Sequence, residues 1–168
     1  KIFWRFLKRF RIKKLLCALN FTPILKSRYT RRGGIIGSMT ENFFDAIRAG
    51  NRDEVERLLL LDAGLIHARD HGLSPVLIAA YHLEPQLADF LADKTVTLNI
   101  FEAAATGRTT HLVRLLARNP DLVNAFADDG FQALGLACFF GHLEAADYLV
   151  KAGAQINMAA NNELMVTP

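Results

Sequence analysis

One short pattern recurs four times in this chain of 168 residues: an alanine, usually a glycine four positions later, and an apolar pair twelve and thirteen positions on. The alanine anchors are Ala46, Ala79, Ala103 and Ala137, spaced 33, 24 and 34 residues apart. Their four-later partners are Gly50, Leu83, Gly107 and Gly141, and the apolar pairs are Leu58/Leu59, Leu91/Ala92, Leu115/Leu116 and Leu149/Val150. Two short helical patterns joined by a turn, recurring with a period in the low thirties, mark a stacked repeat protein. The spacing therefore predicts an all-α solenoid of about four helix pairs, each too small to bury its own apolar stripe. Such an array is more often a binding surface than a catalyst.

Charge divides the chain in two. Residues 1–38 carry 11 Lys/Arg and no Asp/Glu, whereas residues 39–168 carry 9 Lys/Arg and 17 Asp/Glu, a net of −8. The overall excess of +3 thus describes neither part, and the pattern-bearing part is acidic. An acidic surface repels nucleic acid and favours a partner with a basic patch. The two cysteines, Cys17 and Cys138, sit among apolar neighbours. Isolated buried thiols suit a reducing compartment, so the expected location is the cytoplasm. No apolar run approaches the roughly 18 residues that argue for a membrane span.

The basic segment admits two readings. Phe3, Leu7 and Phe10 recur at helical steps until Lys14 breaks the stripe, so residues 1–19 read as a cationic membrane-surface helix or an organelle-targeting sequence. A secretory signal fits less well, because Lys13-Lys14 interrupts the apolar stretch. Alternatively, Met39, directly before the first pattern, is the true start, and residues 1–38 are an overextended reading frame. Arg32-Gly33-Gly34 can be encoded by a purine-rich tract of the kind that binds bacterial ribosomes, and the upstream Lys, Ile, Phe and Leu bias suits translated non-coding sequence. A membrane partner is expected only if this segment is genuine.

The last full copy is the clearest: Asp129-Gly130 as a hairpin tip, Gly141-His142 as a turn between helices, and Gly153-Ala154-Gln155-Ile156-Asn157 as a closing loop. This stretch resembles an ankyrin repeat, although Gln132-Ala133-Leu134-Gly135 stands where that family has Thr-Pro-Leu-His. Gly72-Leu73-Ser74-Pro75-Val76-Leu77-Ile78-Ala79-Ala80 keeps the family's glycine, hydroxyl-proline pair and alanines, with Ser74 as a helix cap and Pro75 and Pro85 at first helical positions. Phe43-Phe44-Asp45-Ala46 lacks a preceding hairpin, as a terminal repeat does, and residues 161–168 resemble the opening of a further repeat. The resemblance implies an ankyrin-repeat domain over 39–168, a non-catalytic protein–protein interaction module, or the repeat part of a longer protein. One departure stands out. After Leu91-Ala92 the chain runs through Asp93–Asn99 directly into Ile100, without loop or hairpin, which predicts a notch in the row of tips.

No chemistry-bearing constellation is expected. His67 and His71 beside Asp70 decorate a solvated connection and are not expected to bind metal. Gly33-Gly34-Ile35-Ile36-Gly37-Ser38 lacks both the preceding strand and the lysine of a phosphate loop. Apolar neighbours disfavour a Cys138 thiolate and point to core packing, and His142 holds a turn position. No catalytic residue, metal or cofactor is therefore expected. The resemblance instead implies contacts through the exposed side of each first helix, here Tyr81, His82, Phe139 and Phe140. It adds the hairpin tips, Asp70, His71, Asp128 and Asp129, as a mainly acidic rim. An outer face left uncapped at Ala145/Leu149 is expected to make the chain marginally stable and prone to associate. If Met39 is the start, the intact mass of natively expressed protein will lack residues 1–38; a mass that includes them assigns the segment a real role.

Overall fold

The computed structural model describes residues 38–162; the basic segment before Ser38 and the possible further repeat beyond Asn162 lie outside the described residues. Among the described residues, eight α-helices form four antiparallel pairs: α1 (Met39–Arg48) with α2 (Arg52–Leu61), α3 (Pro75–Tyr81) with α4 (Pro85–Lys94), α5 (Ile100–Ala105) with α6 (Thr109–Arg118), and α7 (Ala133–Phe140) with α8 (Leu143–Lys151). First helices stack on one another in the order α1, α3, α5, α7, and α6 packs against α8. This is the expected all-α solenoid of four helix pairs.

Each pair turns in the same way. The N–H five residues beyond each anchor alanine donates to that alanine's carbonyl: Asn51 to Ala46 at 2.9 Å, Glu84 to Ala79 at 3.0 Å, Arg108 to Ala103 at 2.8 Å and His142 to Ala137 at 2.8 Å. That closure needs a left-handed residue in between. Gly50, Leu83, Gly107 and Gly141 supply it with φ of 66°, 61°, 67° and 78°. Leu83 is the exception in chemistry but not in geometry: its Cβ is forced where only glycine sits without strain.

Small anchors let the helices approach. Ala79, Ala103 and Ala137 are fully buried, and Ala46 nearly so. Around them, Phe43, Ile47, Val55, Leu91, Leu112 and Leu149 form one continuous core through all four pairs. Polar staples join the layers: the Arg52 guanidinium lies 4.6 Å from the Phe90 ring centre, and His142 Nε2 lies 2.9 Å from the Ala105 carbonyl oxygen. Two expectations fail here. Cys138 is exposed on α7 and does not pack in the core, because its neighbours Leu136 and Ala137 take the inward positions. Ala145 and Leu149 are fully buried, since the i, i+4 stripe of α8 turns inward; Leu143, Val150 and Ile156 are the apolar residues left exposed at that end.

Connections between pairs alternate in an informative way. After α2 and after α6 comes a 3₁₀ turn (Ala63–His67 and Pro120–Asn124) and then a hairpin. Asp70 bridges Leu73 in the first hairpin, and Phe126 bridges Gln132 in the second. Between α4 and α5 there is only Thr95–Asn99, with no hairpin. Helix α5 starts instead with a local capping box: Asn99 accepts the Glu102 N–H at 2.9 Å, and Glu102 accepts the Asn99 N–H at 2.9 Å. Helix α1 uses the same device through Ser38 and Glu41.

The expected notch is bridged at the tips. The two flanking hairpins meet, with Gly72 against Asp128, where an added Cβ would stand 3.1 Å from the carboxylate oxygen. They roof a cavity of about 220 Å³. The turn geometry predicts opposite signs for two substitutions. Leu83→Gly should stabilise by about 1 kcal/mol, and Gly141→Ala, whose Cβ meets nothing within 4 Å, should destabilise by about 1 kcal/mol through backbone strain alone. Gly107→Ala should cost more, because its Cβ would fall 2.5 Å from His142 Nδ1. Urea unfolding of the three variants checks the order.

Candidate interaction surface

The first helices end beside the hairpin that follows in space, and the side chains at these ends meet the tips. In the first pair, Arg48 at the end of α1 pairs with Asp45 at 2.9 Å and with Asp70 in the hairpin before α3. The same guanidinium lies 6.0 Å from the Phe44 ring centre. His71, at the tip with φ 49°, is exposed, with Nε2 3.6 Å from Asp70 Oδ1. His82 caps α3 and is half-buried; burial, then the positive Arg48, hold its pKa below the ordinary value, with Glu84 opposing.

In the second pair the reach is longer. Tyr81, at the end of α3, has no hairpin of a third unit to meet, so its hydroxyl donates to Asp129 in the hairpin before α7, at 2.5 Å. Phe131 and Phe140 pack on its ring, with centres 6.4 and 5.9 Å away. Phe139 meets Phe140 edge-on at 4.9 Å and remains 40% exposed. Asp129 also accepts the Phe131 N–H at 3.2 Å, and its carbonyl accepts from the Asn162 amide at 2.9 Å. Asn161 N–H donates to Gly130 at 2.8 Å, so this tip is fixed on both sides.

The structure thus gathers the sequence candidates into two clusters. Tyr81, Asp129, Phe139 and Phe140 form one; Asp70, His71 and His82 gather around Arg48 in the other. Asp128 is exposed at a tip, with its carboxylate beside Gly72. The acidic rim is thinner than its composition suggests, because Asp70 is ion-paired with Arg48 and Asp129 is engaged by Tyr81. Sequence reasoning missed Phe131, which follows the Asp-Gly tip directly and had that position as its only signal. It also missed Arg48 as the organiser of the second cluster. Cys138 is exposed as a residue, but partial burial of its thiol pushes the pKa up and favours the neutral form. Among the described residues, no group of three or more His, Cys, Asp or Glu is placed to hold a metal ion, and no helix is long and apolar enough to cross a membrane.

Residues 98–160 match the family described as ankyrin repeats (3 copies). A comparison with curated proteins finds no match.

The Tyr81 phenol titrates far above its usual value of 10.0, first through burial, then through the charge and hydrogen bond of Asp129. A phenol whose pKa rises on folding holds its proton in the folded state, so the stabilisation is complete below about pH 10 and is lost as pH climbs through the raised value. Tyr81→Phe should therefore cost about 1–3 kcal/mol at pH 7. Its deficit against the parent should shrink in the alkaline range above about pH 10, as read by urea unfolding at both pH values.

Proposed function

Given that the chain is an ankyrin repeat protein, and that such repeats are generally non-enzymatic modules for binding other proteins, we propose that it recruits a protein partner through the face formed by α3, α7 and the hairpin before α7. The observation that carries this reading is Phe139. It is a large aromatic left 40% exposed on a short helix, while the ring beneath it is fixed: Phe140 stacks against Tyr81, and Tyr81 is tied to Asp129. An aromatic held rigid at a surface loses little entropy on contact and makes a strong interface anchor.

Charge supports the same reading. Residues 39–168 carry a net of −8, and Asp128 stands exposed beside the aromatic cluster, so the partner presents a basic patch and is not nucleic acid. The chain itself performs no catalysis in this proposal. Cys138 is free and exposed, which suits a reducing compartment, and the cytoplasm is the proposed location.

Phe139→Ala is the cleaner test, because Phe140 also supports Tyr81. The full chain, immobilised, should retain a partner from native lysate. Phe139→Ala, with an unchanged circular dichroism spectrum, should retain it about tenfold more weakly or not at all. Equal retention by both would place the contact surface elsewhere.

A further inference from the structure

The missing third hairpin leaves more than a gap in the row. The cavity beneath the joined tips is walled by Leu73 and Leu77 from the second unit, Phe101 from α5, and Phe126 and Asp128 from the hairpin before α7, with Arg69 at one side. Its volume, about 220 Å³, falls below the roughly 300–1,000 Å³ of pockets that hold whole small molecules. A single long side chain suits it better. Phe126 is 40% exposed, so one aromatic wall is already turned toward solvent.

The charges select which side chain. Two charged side chains line the cavity, Asp128 and Arg69. The cation in the wall, Arg69, faces the buried Glu102 carboxylate at 3.6 Å. That leaves Asp128, exposed at the rim, as the charge that meets an incoming group. Aromatic and aliphatic walls with a carboxylate at the mouth fit an apolar stem that ends in a cation: the stem covers the rings, and the charge stays at the acidic, partly wet end.

We propose that this cavity, created by the absent hairpin, is a specificity pocket for one lysine or arginine side chain of the protein partner. The inference rests on the interaction-module reading and deepens it, because it assigns the partner's basic patch a particular socket. Phe139 then anchors the contact from α7, and the socket selects for charge next to it.

The test uses the full 168-residue chain and the capped tripeptides Gly-Lys-Gly, Gly-Arg-Gly, Gly-norleucine-Gly and Gly-Glu-Gly, followed by amide chemical shifts in nuclear magnetic resonance. The expected result is saturable shifts at Leu73, Phe101, Ala127 and Asp128 with the lysine or arginine peptide, at least about tenfold tighter than with norleucine or glutamate. Asp128→Asn, at an exposed position, should weaken that binding about tenfold. Arg69→Gln, which removes the like charge from the wall, should strengthen it, an effect that a merely structural role for Arg69 would not produce. No preference for the cationic peptides over norleucine, or an Asp128→Asn variant that binds them equally, overturns the proposal. If that happens while the wild-type chain still retains a lysate protein through Phe139, the pocket falls and the interaction module stands. If the cationic peptides bind but no lysate protein depends on Phe139, the pocket stands and the α7 anchor falls.

Discussion

Everything in this fold hangs on one closure: the N–H at position five reaching back to the carbonyl of a buried alanine. It sets the angle at which each second helix leaves the first, and a small side chain at the anchor lets the next pair come close enough to bury both stripes. Where glycine supplies the left-handed residue, the closure is strain-free. At Leu83 the stacking energy of neighbouring pairs holds the same geometry against the preference of the residue itself. A local rule can be broken there because packing on both sides over-determines the backbone.

The shortened connection after α4 shows how an array absorbs a deletion. Removing a hairpin takes away both the polar cover of a helix start and a spacer between neighbouring tips. Asn99 and Glu102 replace the cover with two reciprocal hydrogen bonds. The spacer is not replaced: the flanking hairpins lean together, Tyr81 finds the carboxylate of the wrong unit, and a partly open cavity remains below. The most distinctive chemistry of this surface thus arises where an element is missing, and the last repeat supplies most of its side chains.

Much of the architecture was readable in advance because it rests on local signals. Helix pairing, the Ser74-Pro75 and Pro85 starts, the positive φ at Gly50, Gly107 and Gly141, and the absence of a hairpin before Ile100 all follow from short stretches of chain. The capping boxes at Ser38/Glu41 and Asn99/Glu102 are equally local, four residues each, and were there to be read. The surface was less legible. Tyr81 and Asp129 are 48 residues apart, and only the shortened third unit brings them together. Composition suggested a free acidic rim, but could not say that Arg48 and Tyr81 claim two of its carboxylates. Cys138 was misread because Leu136 and Ala137 before it turn inward while Cys138 and Phe139 turn outward, and adjacency in sequence is not adjacency in packing.

The Tyr81–Asp129 bond has a bearing on how the molecule comes apart. Repeat arrays are nearly one-dimensional: each unit touches only its neighbours, so they can fray from either end in steps. Here a hydrogen bond and an aromatic stack run from the second unit to the fourth over the head of the third. Losing the third unit then means breaking contacts that belong to its neighbours, and losing the fourth exposes the ring of the second. The bypass ties three units into one cooperative block, with the first pair as the segment freest to open alone.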